Sequence, residues 1–196
     1  VAGINTDWTN PSNIVANDNI YTTCTLSDSS LSDTLKITDF DFAIPSGSSI
    51  DGITVEIGRY SLGKIRDNDL FLINGQKQVV GVNKALTTTN WPTSEANQTY
   101  GGATDTWNAF LTVADVNDID FGVAIVVRNA NVSNVRIAYI DYVRITINYT
   151  VPCSGTPSPG NTIASIDPVA NGVPFTLSLQ NTTAGAGVTY QWQSGL

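Results

Sequence analysis

The stretch from Ala138 to Val151, AYIDYVRITINYTV, constrains the fold more than any other. From Val143 onward it alternates strictly. Val143, Ile145, Ile147, Tyr149 and Val151 fall on one face, and Tyr142, Arg144, Thr146, Asn148 and Thr150 fall on the other. A period of two in β-branched and aromatic residues is a half-buried antiparallel strand. The composition changes directly after it, which makes it the closing strand of a first domain spanning 1–151.

Upstream, short strand-like runs alternate with turn signals. Leu31 to Phe42 slips in phase: Leu35 and Ile37 share one parity, Phe40 and Phe42 the other. Such a slip predicts a bulge or bend near Thr38-Asp39. Pro45-Ser46-Gly47 reads as a turn, and Ile53, Val55 and Ile57 alternate with Thr54, Glu56 and Gly58. Asn74-Gly75 between Leu70–Ile73 and Gln76–Val80 predicts a tight hairpin with positive φ at both turn residues. Thr112 followed by Asp115 predicts an N-capped single helical turn. Phe121, Val123, Ile125 and Val127 form a strand whose other face, Gly122, Ala124 and Val126, is also small or apolar, so it is expected to be central and covered on both sides. No segment holds an apolar period near 3.6. The expected class is therefore all-β, with a jelly-roll-like β-sandwich first.

From Pro152 the text becomes PCSGTPSPGNT, a Pro, Gly and Ser linker over 152–161. Phe175, Leu177 and Leu179 then alternate, and Val188 to Gln193 centres on Trp192. A strand built on a Trp belongs in an immunoglobulin-like sandwich, yet only about 40 residues follow Pro152, against roughly 100 for such a domain. Residues 162–196 are thus expected to be the start of a truncated, incomplete immunoglobulin-like β-sandwich. The first residue is Val1, consistent with signal removal or with a piece of a longer chain.

Charged residues make up only 13% of the chain and the net charge is -8. A surface built from Thr, Ser, Asn and Gly points to an extracellular or cell-surface protein. No basic stripe exists for nucleic acid, and no apolar run approaches the roughly 20 residues of a membrane span. With no histidine, neither a Ser-His-Asp nor a Cys-His arrangement can be built, so the chain is not expected to be an enzyme.

Three sets of residues carry what chemistry there is. Asp67-Asn68-Asp69 and Asp115, Asn117, Asp118 and Asp120 are oxygen-rich clusters of the kind that hold a structural calcium ion, although neither has the EF-hand spacing. Turn formation and capping explain the same residue types. Trp91, Tyr100 and Trp107 lie on a long Thr, Asn and Gly region; exposed, they could stack on sugars, and buried, they would anchor loops. Asp141 shares parity with the apolar face and needs a partner, from backbone amides or from Arg59 or Arg66. The two cysteines, Cys24 and Cys153, match no metal spacing and could form a disulfide in an oxidising compartment. Asn97, Asn131, Asn148 and Asn181 stand in Asn-x-Ser/Thr text, relevant where Asn is glycosylated.

Two resemblances add to this. Cys153-Ser154-Gly155-Thr156-Pro157, then Pro174-Phe175-Thr176-Leu177-Ser178-Leu179 and Gly187 to Gln193, resemble the immunoglobulin-like repeats of large secreted and surface proteins of Bacteroidetes, which read C-x-G-x-P, a cysteine, F-T-L-S-L and G-x-x-Y-x-W-Q. Here the second cysteine is missing near Ala170, which favours a Cys24–Cys153 link. The resemblance implies type IX export and surface display or release, with no activity. Asp33-Thr34-Leu35 resembles the Bacteroidetes O-glycosylation signal, with Thr34 the acceptor. The first domain, through Trp8-Thr9-Asn10-Pro11, Phe40 to Pro45, Tyr100-Gly101-Gly102 and Ile140-Asp141-Tyr142-Val143, resembles a β-sandwich module of bacterial surface and phage structural proteins. The expected role is a non-catalytic structural or adhesion module, fibre- or stalk-forming, whose partners are other protein subunits or surface glycans. The alternatives are a carbohydrate-binding module of a secreted hydrolase and a phage-tail-like component.

Overall fold

The computed structural model describes residues 6–152, 159–168, 170–181 and 191. The chain divides into two compact units, Val1–Tyr149 and Thr150–Leu196.

The first unit contains strands β1 (Thr22–Leu26), β2 (Leu35–Ile37), β3 (Ser49–Tyr60), β4 (Ile65–Ile73), β5 (Val79–Val80), β6 (Ala96–Gly101), β7 (Gly122–Asn129) and β8 (Arg136–Thr150). Two four-stranded sheets result, ordered β1-β8-β3-β6 and β2-β7-β4-β5. Early and late strands are neighbours in both sheets, which is the double Greek key of a jelly roll. The core lies between the sheets. Cys24, Leu26, Ile53, Val55, Ile57, Ala138, Ile140, Val143 and Ile145 come from the first sheet, and Leu35, Ile65, Leu70, Leu72, Val123, Ile125 and Val127 from the second.

Two strands change phase, and both changes matter for the surface. In β4 the pairing with β7 jumps from Asp67↔Val127 to Asp69↔Val126. Asn68 is the extra residue of a bulge, so Ile65 and Asp67 point inward before it and Leu70 and Leu72 after it. In β8 the alternation expected from Val143 onward holds for Val143, Ile145 and Ile147. Upstream, however, Ala138 and Ile140 supply the core. The parity therefore reverses at Asp141-Tyr142. Beyond Ile147 the strand outruns the core, leaving Tyr149 and Val151 exposed.

The slip at Thr38-Asp39 is a strand end and not a bulge. β2 stops at Ile37, Asp39 and Asp41 take φ of 68° and 54°, and Phe42 turns back to meet Phe121 edge-on at 5.8 Å. The Asn74-Gly75 hairpin forms, but with a wider loop than expected. Lys77, not Asn74 or Gly75, takes the positive φ of 62°. The Asn74 side chain accepts from Gln76 N and Gln78 N and closes the loop locally. β7 is central, and Ala124 on its outer side is buried. That outer side is not covered by a second layer of the sandwich; it is the floor of a shallow depression shared with Thr34, Asp69, Phe71 and Val79.

The helical turn α1 (Val113–Val116) carries a full capping box: Thr112 Oγ1 accepts from Asp115 N, and Thr112 N donates to Asp115. Thr112→Ala is expected to remove about 1 kcal/mol of stability, read from urea unfolding curves of the two proteins.

In the second unit, β9 (Thr162–Ala164) and β10 (Leu177–Leu179) pair antiparallel, Leu177 opposite Ala164. Cys153 and the linker through Ser158, together with Tyr190 and Trp192, lie outside the described residues. Cys24 itself is a free thiol buried in β1, and Cys153, its expected partner, lies outside the described residues. Burial first, then the nearby Asp33 and Asp7, pushes its pKa up to about 12, leaving a protonated and unreactive thiol at neutral pH.

Candidate functional site

The residues expected to bind sugar do not face solvent. Trp91, Tyr100 and Trp107 are 3%, 4% and 0% exposed. Trp91 and Tyr100 instead serve Asp67, which the β4 bulge directs into the core. The Asp67 carboxylate accepts from Arg59 on one oxygen together with Trp91 Nε1 at 2.7 Å, and on the other from Tyr100 Oη at 2.7 Å and Leu86 N at 2.9 Å. Arg59 lies over the Trp91 and Tyr100 rings, at 4.7 and 5.4 Å. Burial pushes the Tyr100 phenol far above its ordinary pKa, so it stays a donor. Trp107 Nε1 donates to Ile53 O at 2.9 Å. All three rings are structural anchors.

The two calcium candidates are also dispersed. The bulge that buries Asp67 leaves Asp69 on the outside, where Asn68 and Asn83 donate to it at 2.8 Å. In the second cluster Asp115 caps α1, and Asp118 accepts from Asp120 N. Asp120 pairs with Lys77 at 3.2 Å. Asn117 holds Ile44 by both its N and its O. Among the described residues no three His, Cys, Asp or Glu side chains gather as a metal site. Thr34 is exposed beside Asp69.

The sequence reading missed the outer face of the first sheet. There β3 presents Thr54, Glu56, Gly58 and Tyr60, and β8 presents Ile137, Tyr139, Tyr142 and Arg144. Tyr60 and Tyr139 stack at 4.4 Å with planes 10° apart. Tyr21, just before β1, meets both edge-on, at 5.2 and 5.8 Å. Its hydroxyl donates to Glu95 Oε2 at 2.8 Å. Tyr142 donates to Glu56 Oε1 at 2.8 Å, and Arg144 approaches the same oxygen at 3.4 Å. Gly58 is required in this strip. A Cβ there would stand 2.5 Å from Cε1 of Tyr142 and 3.3 Å from Glu95 Oε1.

Three of these phenols have raised pKa values. The hydrogen bond to Glu95 leads for Tyr21, and burial leads for Tyr60 and Tyr142. The strip therefore sets neutral hydroxyls, carboxylates and aromatic rings side by side, with the Tyr21 and Tyr142 hydroxyls donating to Glu95 and Glu56. At one end it runs into a small concavity of about 160 Å³ lined by Leu62, Val135, Arg136, Ile137 and Tyr139. Asp141, beside this strip, takes neither Arg59 nor Arg66 as a partner; Arg59 belongs to Asp67 and Arg66 donates to Asn90.

A larger cavity, about 700 Å³, opens between the loops around Ile44–Ile50 and Leu111–Asn117. Its walls are mainly apolar; its Asn117 amide is already spent on Ile44, and the Ser48 Oγ in its lining is buried without a partner.

No family model matches this sequence, and no curated protein matches it. A solved structure titled "CBM4 structure and function" is similar over 68% of this chain and 88% of its own length. The TM-score is 0.40 and the sequence identity 9%. Among the described residues no helix is long and apolar enough to cross a membrane.

Proposed function

We propose that this chain is a non-catalytic extracellular adhesion module that holds carbohydrate on the outer face of its first sheet. The observation that carries this reading is the strip of Tyr60, Tyr139 and Tyr142 with Glu56 and Glu95, across which Tyr21 lies edge-on. A sugar ring presents C–H groups that pack on aromatic faces and hydroxyls that need both donors and acceptors. The strip supplies both, and Glu56, Tyr60, Tyr139 and Tyr142 are held by strands β3 and β8, so little ordering of these groups remains to oppose binding. The low charge and the absence of histidine support display over catalysis. The C-terminal resemblance supports a place in a large secreted or surface protein of the Bacteroidetes type.

A glycan array followed by calorimetric titration tests this. The wild-type protein is expected to retain neutral oligosaccharides. Tyr60→Ala/Tyr139→Ala, folded by circular dichroism, is expected to bind about five- to 150-fold more weakly, since two aromatic contacts of about 0.5–1.5 kcal/mol each are lost. Absence of binding to every glycan at millimolar concentration would remove the reading and favour contact with protein subunits instead.

A further inference from the structure

Asp141 is 0% exposed, and neither of its carboxylate oxygens accepts a hydrogen bond. Buried polar groups are almost always paired, and one that is not is a cost to the fold that packing alone does not explain. Its place in the sheet explains what covers it. Thr22 stands opposite Ile140 in the antiparallel pairing of β1 with β8, so Tyr21 stands opposite Asp141. The Tyr21 hydroxyl reaches Glu95, which immediately precedes β6. Between β1 and β6 lie β8 and β3, three interstrand spacings or about 14 Å. A tyrosine and a glutamate joined end to end span that distance only when both lie extended across the sheet. The phenol of Tyr21 therefore crosses over β8 at the level of Asp141, and Asp141 contributes to the rise in its pKa.

We propose that Asp141 is a ligand-binding carboxylate held under Tyr21, and that it accepts hydroxyls of a neutral sugar when that phenol swings off the sheet. The inference rests on the carbohydrate reading of the strip. Tyr21 precedes β1, so its side chain can leave at the loss of its hydroxyl contacts to Glu95 and Asn19 and of its edge contacts to two rings. The departure uncovers two carboxylates at once, Asp141 and Glu95. Those acceptors, with Glu56 nearby, suit a polyol and repel a uronate or sulfated chain. Arg144, the cation of the strip, is already committed to Glu56, and Arg136 lies at the far end against Gly63. A metal ion would find too few ligands here, since no three acidic or thiol side chains converge among the described residues.

The test is calorimetric titration of the whole chain with β-linked hexasaccharides of glucose, xylose and N-acetylglucosamine, and with an oligogalacturonate. Thermal melts run alongside. Asp141→Asn is expected to raise Tm by about 2–4 °C, because an unpaired carboxylate is removed. It is also expected to weaken binding of the best neutral probe by about tenfold. Tyr21→Phe, freed from Glu95, is expected to tighten it severalfold. Equal affinity of Asp141→Asn and wild type would overturn the inference and leave the carbohydrate reading standing. So would weaker binding by Tyr21→Phe, which would make Tyr21 part of the platform, or tighter binding of the oligogalacturonate than of every neutral probe. Failure of the wild type to bind any of the four would overturn the reading and the inference together.

Discussion

Asp67→Asn is expected to lower the unfolding free energy of the first unit by about 3–5 kcal/mol, the usual loss when one member of a buried ion pair is neutralised. The magnitude follows from how the four donors are distributed. Arg59 and Trp91 address one oxygen, and Tyr100 and the Leu86 amide address the other. An asparagine side chain keeps a single acceptor oxygen. Whichever way its amide is turned, an NH2 group confronts two donors, and Arg59, 2% exposed, keeps a buried charge without its counter-ion. Urea unfolding followed by tryptophan fluorescence measures the loss. Arg59→Met in the same background completes a double-mutant cycle. A loss below about 1 kcal/mol for the single variant would show that water or rearrangement satisfies these donors, and that the network is not what joins the two sheets.

The architecture was readable because alternation is a local property. β3, β4, β7 and the later half of β8 announce themselves through residues two apart, whereas β1 lies in polar text and β6 falls inside the Thr, Asn and Gly region expected to be a loop. Capping was equally local: Thr112 and Asp115 need no tertiary information. Phase changes are not local. At β4 the sequence Asp67-Asn68-Asp69 looks like a cluster of oxygens, and only the pairing with β7 shows that one residue between them is bulged out. The bulge sends one carboxylate to Arg59 and leaves the other with Asn83. At β8 extrapolation backward from Val143 places Asp141 with the apolar residues and Tyr139 with it. Ala138 and Ile140 in fact hold the core, and the reversal puts Tyr139 and Tyr142 on one outer surface.

The same reasoning explains why the candidate site was illegible. Tyr21, Tyr60, Tyr139 and Tyr142 are far apart in sequence, and they meet because β8 lies between β1 and β3. A weak signal existed in the β3 text, where Glu56, Gly58 and Tyr60 share a parity opposite to Val55 and Ile57. A glycine among outward residues marks a close approach by a neighbouring side chain, and here that neighbour is Tyr142. The aromatic loop residues misled for a general reason. A ring in a polar stretch fits a sugar platform and a loop anchor equally well, and burial, a tertiary property, decides between them.

Trp107 allows that decision to be checked by stability alone. Trp107→Ala is expected to cost about 3–5 kcal/mol, the range for emptying a core aromatic site. The ring is fully buried, its Nε1 donates to Ile53 O, and Gly101, with φ of 71°, lies so close that a Cβ there would stand 2.3 Å from that nitrogen. The Trp107 backbone adds a second test. Its φ is 56°, a left-handed conformation that costs an L-residue about 1–2 kcal/mol and glycine almost nothing. Trp107→Gly loses as much packing as Trp107→Ala yet relieves that strain, so it should be the more stable of the two by about 1 kcal/mol. A smaller side chain giving the steadier protein is the reverse of what core packing alone demands. If denaturant unfolding ranks alanine above glycine, the left-handed turn at Trp107 is not what the fold relies on. If both variants unfold like wild type, the ring lies at the surface and the sugar platform moves back to the loop.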